Sequence, residues 1–568
     1  MFEFQTKIAH FHYEKENPDM ALQPNTFDDL VADATRLYLS TAKTNTAPDV
    51  RLIKNDLFDV LKGVILTHNA ASPKEKWSTP KTLTPNQIIH AILELYPICR
   101  LIYTDKADSA SIGELALYQS SGPDEGIYIA DENAIRNLVF QYNELIPEAQ
   151  MRYVINMLYS KAPVRTRTTN PDLIAVNNGV FNYATKKLLP FSPDYIFTSK
   201  SRVDYDPNAE NPVIHNDTDN TDWDVESWME SLSDDPEIVA LLWEILGAII
   251  RPYVSWDVSA WMYSEKGNNG KGTLCELMRN LCGEGSYATI PLTNFSKDFM
   301  LEQLTRVSAI ITDENAVGAF IDTTDNLKAV ITGDVIQLNR KYQKPISYKF
   351  HGFMVQCIND LPRIRDKSDS IYRRQLFIPM TKCFTGHVRK YIKGEYLKRD
   401  DVLRYVLKKI LNTNYYTLSF PAACQNVLDE YKEFNDPIQE FFNELSPQFA
   451  WDLVPFSFMY ELYKKWLAKT NPKGAAVGRN TFIRQIYNIV QSSEEWECQD
   501  TKVSIRSKGR MDIPEPLIDA YGVDEWKHSY YTGNDINKIC MPTLAPNYRG
   551  ILRRTNTQPD EPYLEEDK

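Results

Sequence analysis

Apolar positions recur at helical spacing in the first part of the chain. Residues 30–39 and 88–95 have this period, which predicts amphipathic helices joined by polar loops. Residues 108–126 are polar and contain Gly and Ser, which predicts a loop or a hairpin. Between 173 and 190, short apolar runs flank the turn signal Asn178-Gly179, so a strand, a turn and a second strand are expected there.

Apolar runs of a different kind fill the middle of the chain. Helical periodicity extends over 228–250, and the compact apolar run 258–263 is typical of a buried strand. Apolar strands and helices then alternate to about residue 379, which predicts a parallel α/β sheet. Residues 400–445 return to helical spacing.

Two helix-like stretches near the C-terminus, 456–468 and 480–491, are joined by a turn that holds Pro472, Gly474 and Gly478. Such a pair predicts a helix-turn-helix or winged-helix unit. Basic residues in and after the second stretch are Arg479, Arg484, Lys502, Arg506, Lys508 and Arg510. Recognition of duplex origin DNA and a plain helical cap both fit this pattern.

The composition changes this picture in two ways. With 568 residues and a net charge of −13, the chain is too acidic to be coated with nucleic acid. A ring-shaped motor escapes that objection, because only its inner surface need be basic. The eight cysteines lack zinc-ligand spacing, which predicts free thiols in a reducing compartment. No apolar stretch could span a bilayer, so we expect a cytoplasmic protein without a membrane partner.

A glycine-rich loop follows the apolar run 258–263. Glycines let backbone N–H groups surround a triphosphate, and the helix that follows adds its positive end. Lys271 would meet the β- and γ-phosphates, and Thr273 would help hold Mg²⁺, since Gly272 occupies the usual hydroxyl position. The first glycine of the strict pattern is replaced by Glu265. The residues expected to bind nucleotide are Gly267, Asn268, Asn269, Gly270, Lys271, Gly272 and Thr273.

Three further elements suit nucleotide hydrolysis. The apolar run 307–311 leads to Asp313, expected to steer the metal, and Glu314, expected to polarise the attacking water. A second apolar strand ends at Asn359, whose amide can sense the γ-phosphate. The pair Arg373-Arg374 then offers an arginine to a neighbouring subunit. Each element also has a purely structural alternative. The acidic pair could be solvated at a strand end, Asn359 could lie in an ordinary turn, and the arginine pair could be a surface pair.

A basic segment lies between the acidic and asparagine strands. Residues 327–350 hold five basic residues and one acid. Residues 336–338 and 346–348 could pair as a hairpin with Tyr342 at its tip. Such a tip suits single-stranded DNA, through phosphate contacts and base stacking. The predicted DNA contacts are Lys328, Arg340, Lys341 and Lys344.

These elements, in this order, resemble the superfamily 3 helicases, and within them the phage and plasmid primase-helicases related to the poxvirus type. The matching segments are 267–273, 310–315, 328–342, 356–362 and 372–379. Residues 176–183 and 190–198 are similar to that branch's upstream domain, and 431–442 to the segment that closes its helical lid. The resemblance covers about residues 140–490.

The resemblance implies an AAA+-type phosphate-loop ATPase core of α/β class, with mainly α-helical flanking domains and a C-terminal winged-helix-like domain. It also implies ATP and Mg²⁺ as cofactors, a hexameric ring with shared ATP sites, 3′ to 5′ movement on single-stranded DNA and host replication proteins as partners. Arg374 is the expected trans finger and Arg373 the alternative. The expected parts are an N-terminal accessory domain (1–140), a mixed α/β upstream domain (141–235), the core (236–399), the lid (400–445) and the winged-helix-like domain with its tail (446–568).

Other functions remain open at this point. An initiator that uses ATP as a switch would share every motif. A helicase-primase would need an N-terminal acidic cluster, for which Asp56, Asp59 and His68 are faint candidates. A small-molecule kinase shares the Gly-Lys-Gly-Thr loop but needs no basic hairpin and no trans arginine. A scaffold with an inactive loop is disfavoured by the intact Lys271 and Asp313. The genetic element, its origin and its bacterial host are not encoded in these patterns.

Overall fold

The computed structural model divides into two compact units, residues 1–427 and 428–568. The division falls within one helix, Ala422–Asn435. The described residues are 26–42, 49–104, 113–341, 344–366, 368–386, 389–470 and 476–554. Each unit has its own apolar core, which in the second unit includes the fully buried Trp451, Trp466 and Trp496. No helix among the described residues is long and apolar enough to cross a membrane.

The first unit begins with helices packed on a four-stranded sheet. The sheet has the order β3-β2-β1-β4, with β1 and β4 parallel. Its elements are α1 Phe27–Ala42, α2 Val50–Ala71, α3 Pro85–Leu95, β1 Ile98–Ile102, β2 Glu114–Tyr118, β3 Tyr128–Ile129, α4 Glu132–Tyr142, α5 Glu148–Lys161 and β4 Val164–Thr166. Helices form most of this region, in agreement with the expected mainly α-helical flank, but the four-stranded sheet was not predicted. Strands of two to five residues, mostly buried, are too short to show a period of two.

A small antiparallel sheet follows, in the order β5-β6-β7. Its strands confirm the strand, turn and strand predicted between residues 173 and 190. The elements up to the core are β5 Leu173–Val176, β6 Gly179–Asn182, β7 Lys187–Leu189, β8 Ile214–Asn216, β9 Thr221–Trp223, α6 Val225–Glu230 and α7 Pro236–Ile249. Helix α7 is apolar nearly all round and buried. The helical periodicity predicted over 228–250 is confirmed only in part, because residues 231–235 separate α6 from α7.

The core of the first unit is a five-stranded sheet with the order β11-β12-β16-β10-β18, in which every neighbouring pair is parallel. The predicted parallel α/β arrangement is confirmed. Its elements are β10 Ser259–Tyr263, α8 Lys271–Cys282, β11 Tyr287–Ala288, β12 Ala309–Thr312, β13 Phe320–Ile321, α9 Asp325–Thr332, β14 Val335–Leu338, β15 Ile346–Lys349, β16 Phe353–Ile358, β17 Arg363–Ile364, α10 Asp369–Tyr372 and β18 Gln375–Pro379.

Strands β14 and β15 form the predicted antiparallel hairpin, and the short strands β13 and β17 pair in parallel. The helices after the sheet are α11 Lys390–Gly394, α12 Asp400–Leu411 and α13 Ala422–Asn435. Short 3-10 helices occupy Leu292–Asn294, Glu302–Arg306, Tyr396–Lys398, Ser446–Gln448 and Asp524–Trp526.

Among its described residues, the second unit contains three longer helices, two helices of four residues and a three-stranded antiparallel sheet of order β19-β23-β20. Its elements are α14 Pro437–Leu445, β19 Leu453–Pro455, α15 Phe456–Thr470, α16 Arg479–Gln491, β20 Trp496–Glu497, β21 Ile505–Arg506, α17 Leu517–Ala520, α18 Ile536–Ile539, β22 Asn547–Tyr548 and β23 Gly550–Arg553. Helices α15 and α16 are the predicted pair. Pro472 and Gly474, in the turn between them, lie outside the described residues.

Candidate functional site

Three polar segments leave the five-stranded sheet at one edge. The glycine-rich loop follows β10, the acidic pair follows β12 and Asn359 follows β16. These strands are neighbours and parallel, with Tyr263 beside Ile358 and Thr312 beside Gln356. Their carboxyl ends therefore lie together, and side chains far apart in sequence converge there.

The glycine-rich loop turns sharply into helix α8. Gly270 precedes the helix with φ at +87°, a left-handed conformation, and a Cβ at this position would lie 2.7 Å from Leu232 Cδ2. Glycine is therefore needed both for the turn and for the close approach of the loop to Leu232. The loop places its peptide groups at the positive end of α8, as an anion site requires.

The Lys271 side chain confirms that the loop and the asparagine strand meet. Its Nζ donates to Asn359 Oδ1 at 2.7 Å, to the Ile358 carbonyl at 2.9 Å and to the Ser264 carbonyl at 3.3 Å. The residue is only 5% exposed, and burial lowers the pKa of its ammonium group. Lys271 is therefore held at the loop by three oxygen acceptors, which use all three of its N–H donors.

Asp313 lies one residue beyond β12 and pairs with Arg279 of helix α8 at 3.0 Å. The hydrogen bond from Arg279 lowers the pKa of Asp313 and keeps the carboxylate ionised. Glu314 is exposed, and its side chain makes no hydrogen bond or ion pair with the described residues. Arg279 was missed by sequence reasoning, because a lone arginine inside a helix carries no pattern.

Asn315 is a second residue that sequence reasoning left without a role. Its Oδ1 accepts from the Leu292 N–H at 2.9 Å, and its Nδ2 donates to Gln356 Oε1 and the Cys357 carbonyl, both at 3.0 Å. These bonds tie the segment after β12 to the end of β16. Asn315 therefore fixes the distance between the acidic pair and Asn359.

A cavity of about 850 Å³ opens beside the loop. Thr273 and Gly270 line one side, and Trp228 and Phe384 provide apolar walls. This volume lies within the range of ligand sites that enclose a mononucleotide. Lys393 of α11 lies nearby, with its Nζ 3.6 Å from where a Cβ on Gly272 would be. Lys393 is exposed and makes no ion pair with the described residues, so it is a third candidate that the sequence did not reveal.

The arginine pair lies away from this group, immediately before β18. Because β18 runs parallel to β10, with Ser259 beside Gln375, the pair lies at the amino edge of the sheet. Five residues separate the two edges, which is about 15 Å. Arg374 is half-buried and donates to the Ser370 carbonyl and, at 2.9 Å, to Ser370 Oγ. Arg373 is exposed, and its side chain makes no hydrogen bond with the described residues.

The predicted DNA contacts fall into two groups. Lys328 lies on α9 and pairs with Asp366 at 2.8 Å, and Arg340 pairs with Glu114 and is only 8% exposed. A DNA contact from either side chain would require the exchange of an internal partner. Lys341 and Lys344 are exposed at the end of the β14–β15 hairpin and make no ion pair with the described residues. Tyr342 lies outside the described residues.

The faint acidic cluster of the N-terminal region is engaged elsewhere. Asp56 accepts from the Tyr38 hydroxyl at 2.6 Å, Asp59 pairs with Lys62 at 3.1 Å, and His68 stacks on Trp77. All three cluster residues lie on helix α2. Their contacts account for them as parts of a helical surface.

The second unit carries a concave surface of its own, with a volume of about 470 Å³. Asn480, Arg484 and Tyr487 line it from one face of α16, with the spacing of successive helical turns. Lys502 and Arg549 add two further cations to the lining, which also includes Asp500. The three cations are exposed and make no ion pair with the described residues. We call Asn480, Arg484, Tyr487, Lys502 and Arg549 the α16 surface.

Family comparisons match the chain in three successive segments. Residues 140–234 match the family described as D5 N terminal like, and residues 433–521 match the poxvirus D5 protein-like family. Residues 262–374, which include the glycine-rich loop, match a family of unknown function, DUF5906. The two D5 matches confirm the resemblance to the primase-helicases of superfamily 3, and they support a replicative helicase or primase function in general terms. No curated protein matches the chain.

Solved structures give weaker similarity. An apo structure of the NrS-1 C terminal region (305-718) is 14% identical, covers 73% of this chain and 94% of its own, and has a TM-score of 0.39. The A form apo structure of the same region is also 14% identical, with 69% and 84% covered and a TM-score of 0.36. A JCV helicase structure is 17% identical, with 39% and 63% covered and a TM-score of 0.23. At these TM-scores the likenesses carry no argument about this chain.

Proposed function

We propose that the protein is an ATP-dependent DNA helicase that replicates a phage, plasmid or other mobile element. It works as a hexameric ring in the cytoplasm of a bacterial host and moves 3′ to 5′ on single-stranded DNA. The observation that carries the proposal is the junction of Lys271, Asn359 and Asp313 at one sheet edge, beside a cavity of nucleotide size.

The residues at this edge fit ATP and Mg²⁺. Gly270 turns the backbone for close approach, and the buried ammonium group of Lys271 supplies a cation for the β- and γ-phosphates. Thr273 and Asp313 are the oxygen ligands for the metal, which would neutralise phosphate charge when bound. Glu314 is free to orient the attacking water, and Asn359 holds Lys271 and can sense the γ-phosphate.

The strand order supports an AAA+-type core. Numbered along the chain, the five strands follow the order 2-3-4-1-5 across the sheet, with the loop after the first strand and the acidic pair after the third. The adjacent fourth strand carries Asn359 at its end. This arrangement puts all hydrolysis groups at one edge and the arginine pair at the other.

The separation of the two edges supports shared sites. An arginine about 15 Å from the loop of its own chain cannot reach the phosphates there, but it can reach those of a neighbouring subunit. Arg373 suits this role better than Arg374, because its guanidinium is exposed and has no hydrogen bond within the described part of the chain, whereas Arg374 is held by Ser370. We therefore assign the trans finger to Arg373.

The basic hairpin supports the choice of DNA as the partner. Lys341 and Lys344 are exposed cations at the end of the paired strands β14 and β15. Exposed cations without internal partners are available for backbone phosphates. A small-molecule kinase would not need a hairpin that ends in exposed lysines.

Strand displacement tests the proposal. The substrate is a duplex with a 3′ single-stranded tail, incubated with the full chain and ATP. We expect wild type to release the labelled strand and Lys271→Ala to release none. The same duplex with a 5′ tail tests polarity. ATP binding without any release on either substrate would reject the helicase in favour of an ATP-switched initiator.

Binding of duplex origin DNA is a second candidate function, supported by the α16 surface. The longer helices and the three-stranded sheet of the second unit follow the order α14, β19, α15, α16, β20, β23, with β23 central, as in winged-helix domains. The pair β21–β22 and the short helices α17 and α18 lie between β20 and β23 in sequence. Helix α16 is the third helix, the one that enters the major groove in such domains. Asn480 and Arg484 could contact base edges, and Lys502 and Arg549 could contact phosphates.

Anisotropy of labelled duplex DNA with the full chain and no ATP tests this candidate. We expect Arg484→Ala to weaken binding about tenfold, whereas Lys527→Ala leaves it unchanged, because Lys527 already pairs with Asp524 at 2.9 Å. Equal DNA binding by both variants would indicate that the second unit is a plain helical cap or binds another protein.

A further inference from the structure

The turn of the β14–β15 hairpin, next to Lys341, is fixed to the first sheet by a buried ion pair. Arg340 directs its Nη1 to Glu114, the first residue of β2, and its Nη2 to the Lys344 carbonyl at 3.1 Å. Glu114 also accepts from the Tyr103 hydroxyl at 2.5 Å. Arg340 is 8% exposed, so this guanidinium is part of the interior and not of a DNA-facing surface.

A second set of contacts fixes strand β15 of the hairpin. Arg167, which follows β4, donates to the Tyr348 hydroxyl at 3.1 Å and to the Lys349 carbonyl. The Lys349 N–H donates to the Tyr103 carbonyl at 3.1 Å. Tyr348 is fully buried, and its ring lies 5.4 Å from the Tyr103 ring. The turn and strand β15 of the hairpin are therefore both bound to residues at the ends of β1, β2 and β4.

We propose that Glu114 is a positioning residue for DNA engagement, and that Arg340 anchors the hairpin to the first sheet instead of contacting DNA. The inference rests on the proposed function, in which Lys341 and Lys344 hold the strand. It gives the N-terminal region a role that its sequence did not suggest. The first sheet holds the hairpin in position while the hairpin binds DNA.

The physical reason is the cost of an unpaired buried charge. A guanidinium removed from water is stable only while a carboxylate faces it, so Glu114 and Arg340 depend on each other. Lys341 and Lys344 lie in the turn of the hairpin, whose position this ion pair fixes. Loss of the pair leaves both lysines present but frees the hairpin to move, so DNA is bound while its effect on ATP hydrolysis is lost.

A charge exchange tests the pair. The proteins are wild type, Glu114→Arg, Arg340→Glu and the double exchange, assayed for ATP hydrolysis with and without single-stranded DNA. We expect each single exchange to lower DNA stimulation about tenfold, and the double exchange to restore most of it. Hydrolysis without DNA should be unchanged in Glu114→Arg. A double exchange as defective as Arg340→Glu, beside a harmless Glu114→Arg, would overturn the proposal.

The salt dependence of DNA binding gives an independent measurement with milder substitutions. A side chain that contacts a phosphate of single-stranded DNA contributes about 0.7 to the slope of log affinity against log salt. We expect Lys344→Ala to lose about this amount and Arg340→Met to keep the wild-type slope. A matching loss in Arg340→Met would show that Arg340 contacts DNA, which contradicts the anchor.

Failure of the proposed function gives a different result. If wild type binds no single-stranded DNA, the proposed helicase function is wrong. The ion pair is then tested by the thermal stability of the same four proteins. Recovery of stability in the double exchange would support the anchor. Additive losses in the two single exchanges would reject it.

Discussion

The two edges of the core sheet hold their proposed functional groups differently. At the carboxyl edge, Lys271 donates to Asn359 and Asp313 pairs with Arg279, so these two charged groups are held within the chain, while Glu314 beside them is exposed. At the amino edge, Arg373 precedes β18 with its guanidinium exposed. The hairpin that leads into β16 likewise ends in exposed lysines.

This difference separates two kinds of site. Groups that are held before a ligand arrives suit a small substrate whose phosphates must be met at fixed positions. Exposed groups without internal partners suit a partner that comes from outside, such as a neighbouring subunit or a DNA strand.

Arg373→Ala should have the largest effect on ATP hydrolysis, a loss of about 10³-fold, because a trans arginine stabilises charge that develops in the transition state. Addition of Arg373→Ala to wild type should lower turnover beyond simple dilution, since each inactive subunit impairs its neighbour's site. Arg374→Ala is the matched control and should mainly reduce thermal stability. Turnover that falls in simple proportion to the fraction of Arg373→Ala would show that Arg373 is not the trans finger.

Lys271→Ala should lower hydrolysis about 10²–10³-fold, because it removes a cation aimed at the phosphates. Lys266→Ala is the control, since Lys266 lies exposed in the same loop. Steady-state hydrolysis at saturating ATP distinguishes the two. Similar hydrolysis rates for both variants would show that Lys271 is not the catalytic lysine, although it is buried and hydrogen-bonded at the carboxyl edge.

Arg279→Ala should change the pH dependence of hydrolysis. The Arg279 guanidinium lowers the pKa of Asp313, so its removal raises that pKa toward the ordinary value. Activity that needs ionised Asp313 should then be lost at a higher pH as the pH falls. A pH–rate profile measures this shift. Arg399→Ala, which breaks an exposed pair with Asp401, should leave the profile unchanged.

The smallest effect is expected at the hairpin. Lys341→Ala and Lys344→Ala should each weaken binding of single-stranded DNA by a few-fold and reduce its salt dependence, without a change in hydrolysis in the absence of DNA. Lys328→Ala is the comparison, because Lys328 is paired with Asp366 and should not alter the salt dependence. Anisotropy titrations at several salt concentrations decide between them.

The carboxyl edge was largely predictable from sequence. A glycine-rich turn after an apolar strand encodes backbone geometry, and parallel strands must bring their carboxyl ends together. The convergence of Lys271, Asp313 and Asn359 follows from those two facts. Three of the five core strands, β10, β12 and β16, were predicted because runs buried on both faces stay apolar along their length.

The pairing of individual charges was not predictable. Nothing near Arg340 in sequence shows that Glu114 faces it, and the same holds for Arg279 and Asp313, since both pairs join distant segments. The first sheet was missed for a related reason. Its strands are short and lie between helices, so local periodicity favoured the helices.

Steady-state ATP hydrolysis by the full chain, with and without single-stranded DNA, distinguishes a DNA motor from the other functions. We expect DNA to raise turnover in wild type and in Lys266→Ala, and Lys271→Ala to be inactive under both conditions. Turnover that is the same with and without DNA, at concentrations where DNA is bound, would contradict a DNA motor.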